Sequence, residues 1–206
     1  MSKDLTPPQE DSSPGLTPGT EFGRYRIVRL LGEGGMGAVY EAVHTDLGKR
    51  VALKTLHPEV ARNPGSRLRF LQEGRSASMI RHPHVIDVTD VGVQGALPFL
   101  VMEFLDGESL ASKLRRDGTL SVEETVEIAA PVIAALGAAH EEKIVHRDLK
   151  PDNIFLARTR DESVVPKVID FGISKMPDGE RSHSLTSSAA VLGTAYYMSP
   201  EQSRES

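Results

Sequence analysis

The run from His146 to Asn153, HRDLKPDN, holds the densest group of side chains that could do chemistry. Six of its eight residues are charged, ionisable or amide, and apolar residues flank the run on both sides. A solvated turn would not need this collection. Asp170 follows 17 residues after Asn153, in the sequence DFG. If the short apolar segments between them pair as a hairpin, Asn153 and Asp170 meet at one end and offer the hard oxygen ligands that magnesium bound to phosphates requires.

A glycine-rich segment suggests contact with phosphates. Gly32, Gly34 and Gly37 have the spacing G-x-G-x-x-G, and glycine lets a backbone approach a phosphate closely. A dinucleotide-binding fold uses the same spacing, but there the glycines open a helix and an acidic residue follows about 20 residues later. Here a strand is predicted to follow, and Ala52 stands 20 residues after Gly32. A hairpin over phosphates fits better, and a purely structural hairpin is the alternative.

Lys54 and Glu73 form a candidate ion pair. In the strand segment Val51-Ala52-Leu53-Lys54, alternation places Ala52 and Lys54 on the same face. Glu73 lies in an otherwise apolar stripe of the following helix, where an unpaired carboxylate would be costly, and this favours Lys54 as its partner. Two alternatives stay open: a solvated lysine on the strand, and a surface pair between Glu73 and Arg69.

These side chains need two structural units to position them. In the first half, short apolar runs predict five antiparallel strands, with one helix that begins at Pro64. In the second half, Ser121 and Glu124 have the spacing of a capping box and predict a long helix. The fold class is therefore α+β, with a strand-rich lobe over about 21–105 and a helix-rich, incomplete lobe over about 106–206.

Composition excludes several classes of protein. The chain has 206 residues, 24 basic and 29 acidic, and its formal net charge of −5 argues against a nucleic-acid partner. It contains no cysteine, which excludes thiolate chemistry and fits a reducing compartment, so a cytoplasmic protein is expected. Residues 1–20 carry four of the 13 prolines and predict a disordered tail. The longest mainly apolar stretch, residues 128–139, is too short to span a membrane.

Taken together, the motifs resemble those of protein kinases, in the eukaryotic-like serine/threonine branch found in bacteria. GEGGMGAV, VALK, a helix glutamate, HRDLKPDN, DFG and GTAYYMSPE occur in the order that the family shows. A single motif is weak, whereas the whole set in order is specific over residues 25–201. The resemblance implies a two-lobed kinase-like fold that uses ATP and Mg²⁺ to phosphorylate serine and threonine hydroxyls of protein substrates.

The resemblance also implies the roles of the charged residues. Asp148 would accept or orient the substrate hydroxyl proton, and Lys150 would steady the transferring phosphoryl group. Asn153 and Asp170 would hold magnesium.

The nucleotide site is implied in the same way. Lys54, paired with Glu73, would contact the α- and β-phosphates. Main-chain groups near Glu103 and Leu105 would bind adenine. The remaining nucleotide contacts would come from Leu31, Gly32, Gly34, Gly37, Val39, Ala52 and Phe155.

The hydroxyl-rich loop between Asp170 and Glu201 looks regulatory by the same resemblance. Thr186 and Ser188 resemble sites where bacterial relatives phosphorylate themselves, and a phosphate there could pair with Arg147 and order the loop. Thr194 would help to place the catalytic side chains. The competing hydroxyls are Ser182, Ser184 and Ser187, and the alternative is that such hydroxyls are merely solvated.

The end of the chain leads to a further expectation. Kinase domains continue after the Ser-Pro-Glu motif with several helices, whereas only residues 202–206 follow Glu201. The sequence therefore predicts a C-terminally truncated domain of low stability or weak activity. The alternative function is a non-catalytic ATP-binding or scaffolding fragment. Self-association would allow one copy to phosphorylate another.

Overall fold

The computed structural model describes residues 15–171 and 196–201. The strands are β1 (Glu21–Phe22), β2 (Tyr25–Glu33), β3 (Gly37–His44), β4 (Arg50–Leu56), β5 (Val88–Gln94), β6 (Leu97–Glu103), β7 (Gly107–Ser109), β8 (Ile154–Arg158) and β9 (Val164–Val168). The helices are α1 (Pro58–Ala61), α2 (Pro64–Ala77), α3 (Leu110–Asp117) and α4 (Val122–Glu141), and a 3₁₀-helix spans Pro151–Asn153. Among these described helices, none combines the length and apolar character that crossing a membrane requires.

The strands form two antiparallel sheets. The first has six strands in the order β1-β2-β3-β4-β6-β5, and the second has three in the order β7-β8-β9. The α+β class is confirmed, but the prediction of five strands and one helix in the first lobe is corrected by the additional elements β1 and α1. These elements contain two and four residues, too few to produce a hydrophobic period in the sequence.

Part of the predicted tail contacts the first sheet. Residues 1–14 fall outside the described part of the chain, whereas residues 15–20 lie within it. The N–H of Gly19 donates to the carbonyl oxygen of Ile27 at 2.8 Å, and the N–H of Ile27 donates to the carbonyl oxygen of Thr20 at 2.9 Å. These main-chain bonds attach the chain to β2 before the predicted domain boundary.

Alternation along β3 and β4 gives the first sheet one apolar face and one face that carries Lys54. Tyr40 and Leu53 are cross-strand partners on the apolar face, where they are 4% and 0% exposed. On the opposite face, Val39 is the cross-strand partner of Lys54, and Ala52 lies two residues before Lys54. Because successive strand side chains point to opposite faces, burial of the first face aims Lys54 away from it.

Gly37 begins β3 at a point where this strand passes very close to β4. A Cβ atom at Gly37 would lie 1.9 Å from the carbonyl oxygen of Thr55. We expect Gly37→Ala to lower the free energy of unfolding by about 1–3 kcal/mol, because the strands must separate to admit the methyl group. Urea denaturation followed by circular dichroism measures this change. Gly35→Ala is the control, since a Cβ there meets no atom within 4 Å, and equal stability of the two variants would contradict the prediction.

The long helix α4 begins with the predicted capping box. The Ser121 side chain accepts a hydrogen bond from the N–H of Glu124, and the Glu124 carboxylate accepts one from the N–H of Ser121. Val126 and Ile133 fit helical spacing but remain 59% and 67% exposed. The buried side of the helix consists of Ile128, Val132, Ala135 and Ala139.

The hairpin of β8 and β9 brings two distant parts of the sequence together. Ile154 pairs with Val168, and the N–H of Ile169 donates to the carbonyl oxygen of Asn153 at 3.0 Å. The predicted pairing of these segments is confirmed. Asn153 and Asp170 therefore flank the same end of the hairpin.

The second sheet is attached to the first lobe through the segment between α2 and β5. The N–H of Val168 donates to the carbonyl oxygen of His84 at 2.8 Å, and the N–H of Ile86 donates to the carbonyl oxygen of Val168 at 3.0 Å. These bonds fix the end of β9 relative to α2. The residue that follows β9 by two positions, Asp170, is thereby placed near the first lobe.

Candidate active site

Lys54 lies between two carboxylates that come from different elements. Its Nζ is 2.6 Å from Oδ1 of Asp170 and 3.8 Å from Oε1 of Glu73. Lys54 belongs to β4 and Glu73 to α2, whereas Asp170 follows β9. The Glu73 side chain is only 12% exposed, which disfavours the alternative of a surface pair with Arg69. Lys54 and Glu73 thus meet as predicted, but Asp170 is the nearer partner.

The three charges shift one another's pKa values. Burial raises the pKa of Glu73, Lys54 opposes the rise, and the carboxylates of Asp170 and Asp148 add to it, so that the pKa is about 7. Burial also acts to raise the pKa of Asp170, but the Lys54 ammonium outweighs it and the pKa falls below its usual value. Burial acts to lower the pKa of Lys54, and the neighbouring carboxylates outweigh it and raise this pKa. At neutral pH, Lys54 and Asp170 are charged, while Glu73 titrates.

Asp148, Lys150 and Asn153 lie together in the turn between α4 and β8. The Asn153 Nδ2 donates to the carbonyl oxygen of Asp148 at 2.7 Å and to its carboxylate at 3.2 Å. The Nζ of Lys150 is 3.5 Å from Oδ2 of Asp148. The Asp148 side chain is 18% exposed, so its carboxylate is oriented by protein contacts while part of it faces the solvent.

His146 supports this turn as a neutral imidazole. The residue is 3% exposed, and its ring centroid lies 4.8 Å from that of Phe171. Burial lowers the pKa of His146. Its Nε2 donates to the carbonyl oxygen of Ile169 at 3.0 Å and its Nδ1 accepts from the N–H of Asp148 at 3.3 Å, which matches one neutral tautomer. The imidazole therefore links the backbone of Asp148 to the segment that carries Asp170.

Two residues of the site have strained backbone conformations. Arg147 and Asp170 have φ angles of 61° and 53°. Such positive values are uncommon for residues other than glycine and cost on the order of 1 kcal/mol or more each. Arg147 immediately precedes Asp148, and Asp170 carries the carboxylate that contacts Lys54. Strained backbone of this kind is typical of active sites.

The glycine-rich segment closes a hairpin between β2 and β3. The N–H of Gly34 donates to the carbonyl oxygen of Gly37 at 2.9 Å, and the N–H of Gly37 donates back to the carbonyl oxygen of Gly34 at 3.3 Å. The segment leads into a strand and not a helix. This geometry disfavours the dinucleotide-binding alternative.

An apolar cluster lies on the same face of the first sheet as Lys54. It consists of buried Ala52, Ala77, Ile86, Val88 and Met102, with Val39, Val91, Leu105 and Ile169 packed against them. Three residues of the predicted nucleotide site, Val39, Ala52 and Leu105, belong to this cluster. Leu31, which is 39% exposed, and Phe155 are not among its described members. An apolar surface beside a partly buried lysine suits the flat base of a nucleotide whose phosphates reach the ammonium.

Side chains from both sheets hold the segment that follows β6 and connects the lobes. The Nζ of Lys167 is 2.6 Å from Oε1 of Glu103, and the guanidinium of Arg50 lies 3.9 Å above the ring of Phe104. The N–H of Glu103 donates to the carbonyl oxygen of Asp87 at 2.9 Å, which ties the end of β6 to the segment before β5. The sequence did not predict Arg50 or Lys167 as site residues, because these contacts join positions far apart in the chain.

Asn153 and Asp170 fit magnesium in their ligand chemistry. Asn153 turns its Nδ2 toward Asp148, so the oxygen of its amide is the atom that suits a metal, and Asp170 provides a carboxylate. Within the described residues, no group of three or more histidine, cysteine, aspartate or glutamate side chains could hold a metal ion. A magnesium ion here would take its remaining oxygen ligands from water and from the phosphates of a nucleotide.

Most of the predicted regulatory residues lie outside the described part of the chain. Thr186, Ser188 and Thr194 fall between residues 172 and 195, which the structure does not describe. Arg147 is described and partly exposed. Its pairing with a phosphate stays a prediction.

Comparison with known proteins identifies the family. The protein kinase domain family matches residues 25–206. The chain belongs to this family. The kinase domain is 43% identical over 186 residues to the serine/threonine-protein kinase Pkn1 of Myxococcus xanthus, a match that covers 90% of this chain and 26% of Pkn1. It is 40% identical over 185 residues to the serine/threonine-protein kinase PknB of Mycobacterium leprae, covering 88% of this chain and 29% of PknB.

The fold of the kinase domain is also similar to solved structures. The crystal structure of the PknI kinase domain of Mycobacterium tuberculosis matches with a TM-score of 0.68 at 32% identity, covering 79% of this chain and 65% of that chain. The predicted two-lobed kinase fold is thereby confirmed. The chain spans roughly a quarter of the length of the curated relatives named above.

Proposed function

We propose that the kinase domain transfers the γ-phosphate of ATP to serine and threonine hydroxyls of proteins and uses Mg²⁺ to do so. The observation that best supports this proposal is the meeting of Lys54, Asp148 and Asp170, which come from three separate parts of the chain. The names of the relatives, which are serine/threonine-protein kinases, support the same class of substrate.

Asp148 is the proposed acceptor of the substrate proton. Its carboxylate accepts or orients the proton of the substrate hydroxyl while the hydroxyl oxygen bonds to the γ-phosphorus and the bond from that phosphorus to the leaving ADP breaks. Lys150, 3.5 Å from the carboxylate, is placed to steady the transferring phosphoryl group. Positioning and charge complementarity supply most of the rate enhancement in such reactions.

The nucleotide is proposed to lie beneath the glycine-rich segment. The cluster around Ala52 receives adenine, and the positive charge of Lys54 faces the α- and β-phosphates. Asn153 and Asp170 would hold magnesium, which supplies charge neutralisation at the phosphates when bound.

A transfer assay tests the proposed function. Radiolabelled phosphate is expected to pass from γ-labelled ATP to a protein substrate with Mg²⁺ present, and to appear in phosphoserine and phosphothreonine after acid hydrolysis. Chelation of the metal should stop the transfer, and added Mg²⁺ should restore it. Label found only in phosphotyrosine, or transfer that persists after chelation, would contradict the proposal.

Autophosphorylation of the loop between residues 172 and 195 is the proposed regulation. A phosphate on Thr186 or Ser188 adds about two negative charges that Arg147 could pair with, which would order the loop. Transfer between two copies requires self-association, so the rate of autophosphorylation per molecule is expected to rise with protein concentration.

We expect the double variant Thr186→Ala/Ser188→Ala to show lower turnover than the wild type. Unchanged turnover in the same assay would contradict this regulation.

Nucleotide binding without phosphotransfer is the second candidate function. The observation that favours it is the exposed apolar side chains Val126 and Ile133 on α4, the helix that leads into the turn carrying Asp148. Incomplete packing of this helix would leave the catalytic turn poorly supported. Tight binding of Mg²⁺-ATP in calorimetry, combined with undetectable transfer, would favour this candidate over the first.

A further inference from the structure

His57 occupies a fixed position next to the glycine-rich segment. It follows β4 directly and is the N-cap residue of α1, where its carbonyl oxygen accepts from the N–H of Ala61 at 2.9 Å. Pro58 holds the first position of the helix. Ala61 is 4% exposed and packs in a cluster with Leu56, Phe70 and Leu100. The backbone of His57 is therefore anchored to β4 and to the core that supports α2.

From this position, His57 makes three contacts with the glycine-rich segment. Its Nε2 lies 2.8 Å from the carbonyl oxygen of Gly34, and its main-chain N–H donates to the carbonyl oxygen of Met36 at 2.9 Å. The same Nε2 is 3.7 Å from a carboxylate oxygen of Glu33. An imidazole that donates from Nε2 fits the contact with Gly34, whether or not the second ring nitrogen carries a proton.

The tip of the segment has little side-chain packing of its own. A Cβ atom at Gly32, Gly34 or Gly35 would meet no atom within 4 Å. The two hydrogen bonds between Gly34 and Gly37 close the hairpin but connect the tip only to itself. The contacts from His57 therefore join the tip to a part of the first lobe that is independently fixed.

We propose that His57 is a positioning residue that holds the glycine-rich segment over the phosphates of the nucleotide. This inference rests on the proposed function, because it assumes that the segment covers a triphosphate. His57 acts through the carbonyl oxygen of Gly34 and not by touching the nucleotide. Loss of the side-chain contact then weakens binding of the triphosphate while adenine binding on the cluster around Ala52 is unchanged.

A matched pair of variants separates the side-chain donor from the N-cap role. In His57→Gln, the amide nitrogen extends to nearly the position of Nε2 and keeps the hydrogen bond to Gly34. In His57→Asn, the side chain is too short to reach Gly34, yet asparagine is among the best N-cap residues, so α1 remains stable. His140→Asn, at an exposed position of α4, controls for the loss of a histidine.

Calorimetric titration of the purified chain with Mg²⁺-ATP and with adenosine tests the inference. We expect His57→Asn to raise the dissociation constant of ATP by about fivefold or more, as loss of one hydrogen bond predicts, and that of adenosine by less than about twofold. His57→Gln and His140→Asn should match the wild type within about twofold for both ligands. In the transfer assay, His57→Asn should raise KM for ATP more than it lowers kcat.

Three results would contradict the inference. ATP affinity in His57→Asn equal to that of the wild type would overturn the positioning role. Equal losses of ATP and adenosine binding would also overturn it, because they indicate a general structural effect. Failure of the wild-type chain to bind ATP at all would overturn the proposed function, and with it this inference.

Discussion

The Asp148→Asn variant is expected to lose phosphotransfer by about 10²–10⁴-fold, the usual contribution of a positioned general base. Asparagine has nearly the same shape as aspartate but cannot accept the substrate proton. The turn should survive, because Asn153 donates to the main-chain carbonyl oxygen of residue 148 at 2.7 Å, and this contact does not depend on the side chain. The initial rate of label transfer from γ-labelled ATP measures the effect.

The neighbouring carboxylate provides the control for this variant. Asp152 is exposed in the 3₁₀-helix of the same turn, and Asp152→Asn removes the same charge from nearly the same place. We expect its transfer rate to stay within about threefold of the wild type, as is usual for an exposed surface change. Asp148→Asn should bind Mg²⁺-ATP almost as tightly as the wild type. A transfer rate in Asp148→Asn within tenfold of the wild type would remove Asp148 from the proposed mechanism.

Much of the site could be predicted because local patterns in the sequence indicate where its residues lie. Alternation along β4 placed Ala52 and Lys54 on one face, and a lone carboxylate in an apolar helix stripe identified Glu73 as needing a cation. The β8–β9 hairpin followed from two short apolar runs, and it placed Asn153 and Asp170 at the same end. In each case a local feature of the sequence, either a period or a short apolar run, was enough to place the residue.

Contacts between distant elements could not be predicted in this way. The sequence paired Lys54 with Glu73 alone, whereas the structure places Asp170 closer, at 2.6 Å against 3.8 Å. That difference depends on where β9 is attached to the first lobe, which no local pattern encodes. The contacts of His57 with the glycine-rich segment and of Arg50 with Phe104 are of the same kind.

Short elements were missed for a different reason. The strand β7 has three residues, and α3 has eight residues with only two of them buried, Leu110 and Ala111. Neither element has an apolar period long enough to predict a strand or a helix from the sequence. The signal for α3 was its N-cap, because the Ser109 side chain accepts from the N–H of Ser112, and this spacing is visible in the sequence.

The Lys54→Met variant is expected to lose about 10²–10³-fold in phosphotransfer, since a preorganised charge at a phosphate is removed. Methionine keeps most of the apolar length of the side chain and therefore preserves packing against the sheet. The transfer assay measures this loss, and Lys49→Met, an exposed lysine just before β4, is the control. Equal activity of the two variants would show that Lys54 is not needed for the reaction.

The raised pKa of Glu73 also predicts how the stability of the wild-type protein depends on pH. Glu73 has a folded pKa of about 7 against an ordinary value of 4.5, so the folded state binds this proton more tightly and stability falls as pH rises from about 4.5 to about 7. At about 1.4 kcal/mol per pKa unit, the fall is at most about 3 kcal/mol.

Removing Lys54 takes away the cation that lowers the pKa of Glu73, so that pKa rises further and the fall in stability extends above pH 7. Urea denaturation at several pH values between about 5 and 8 should therefore show a larger total loss for Lys54→Met than for the wild type. Adding Glu73→Gln to Lys54→Met should reduce this loss without abolishing it, because Asp170 also loses the cation that holds down its pKa and still titrates. Parallel curves for Lys54→Met and the wild type would mean that Lys54 and Glu73 are not electrostatically coupled, although their charged atoms lie 3.8 Å apart.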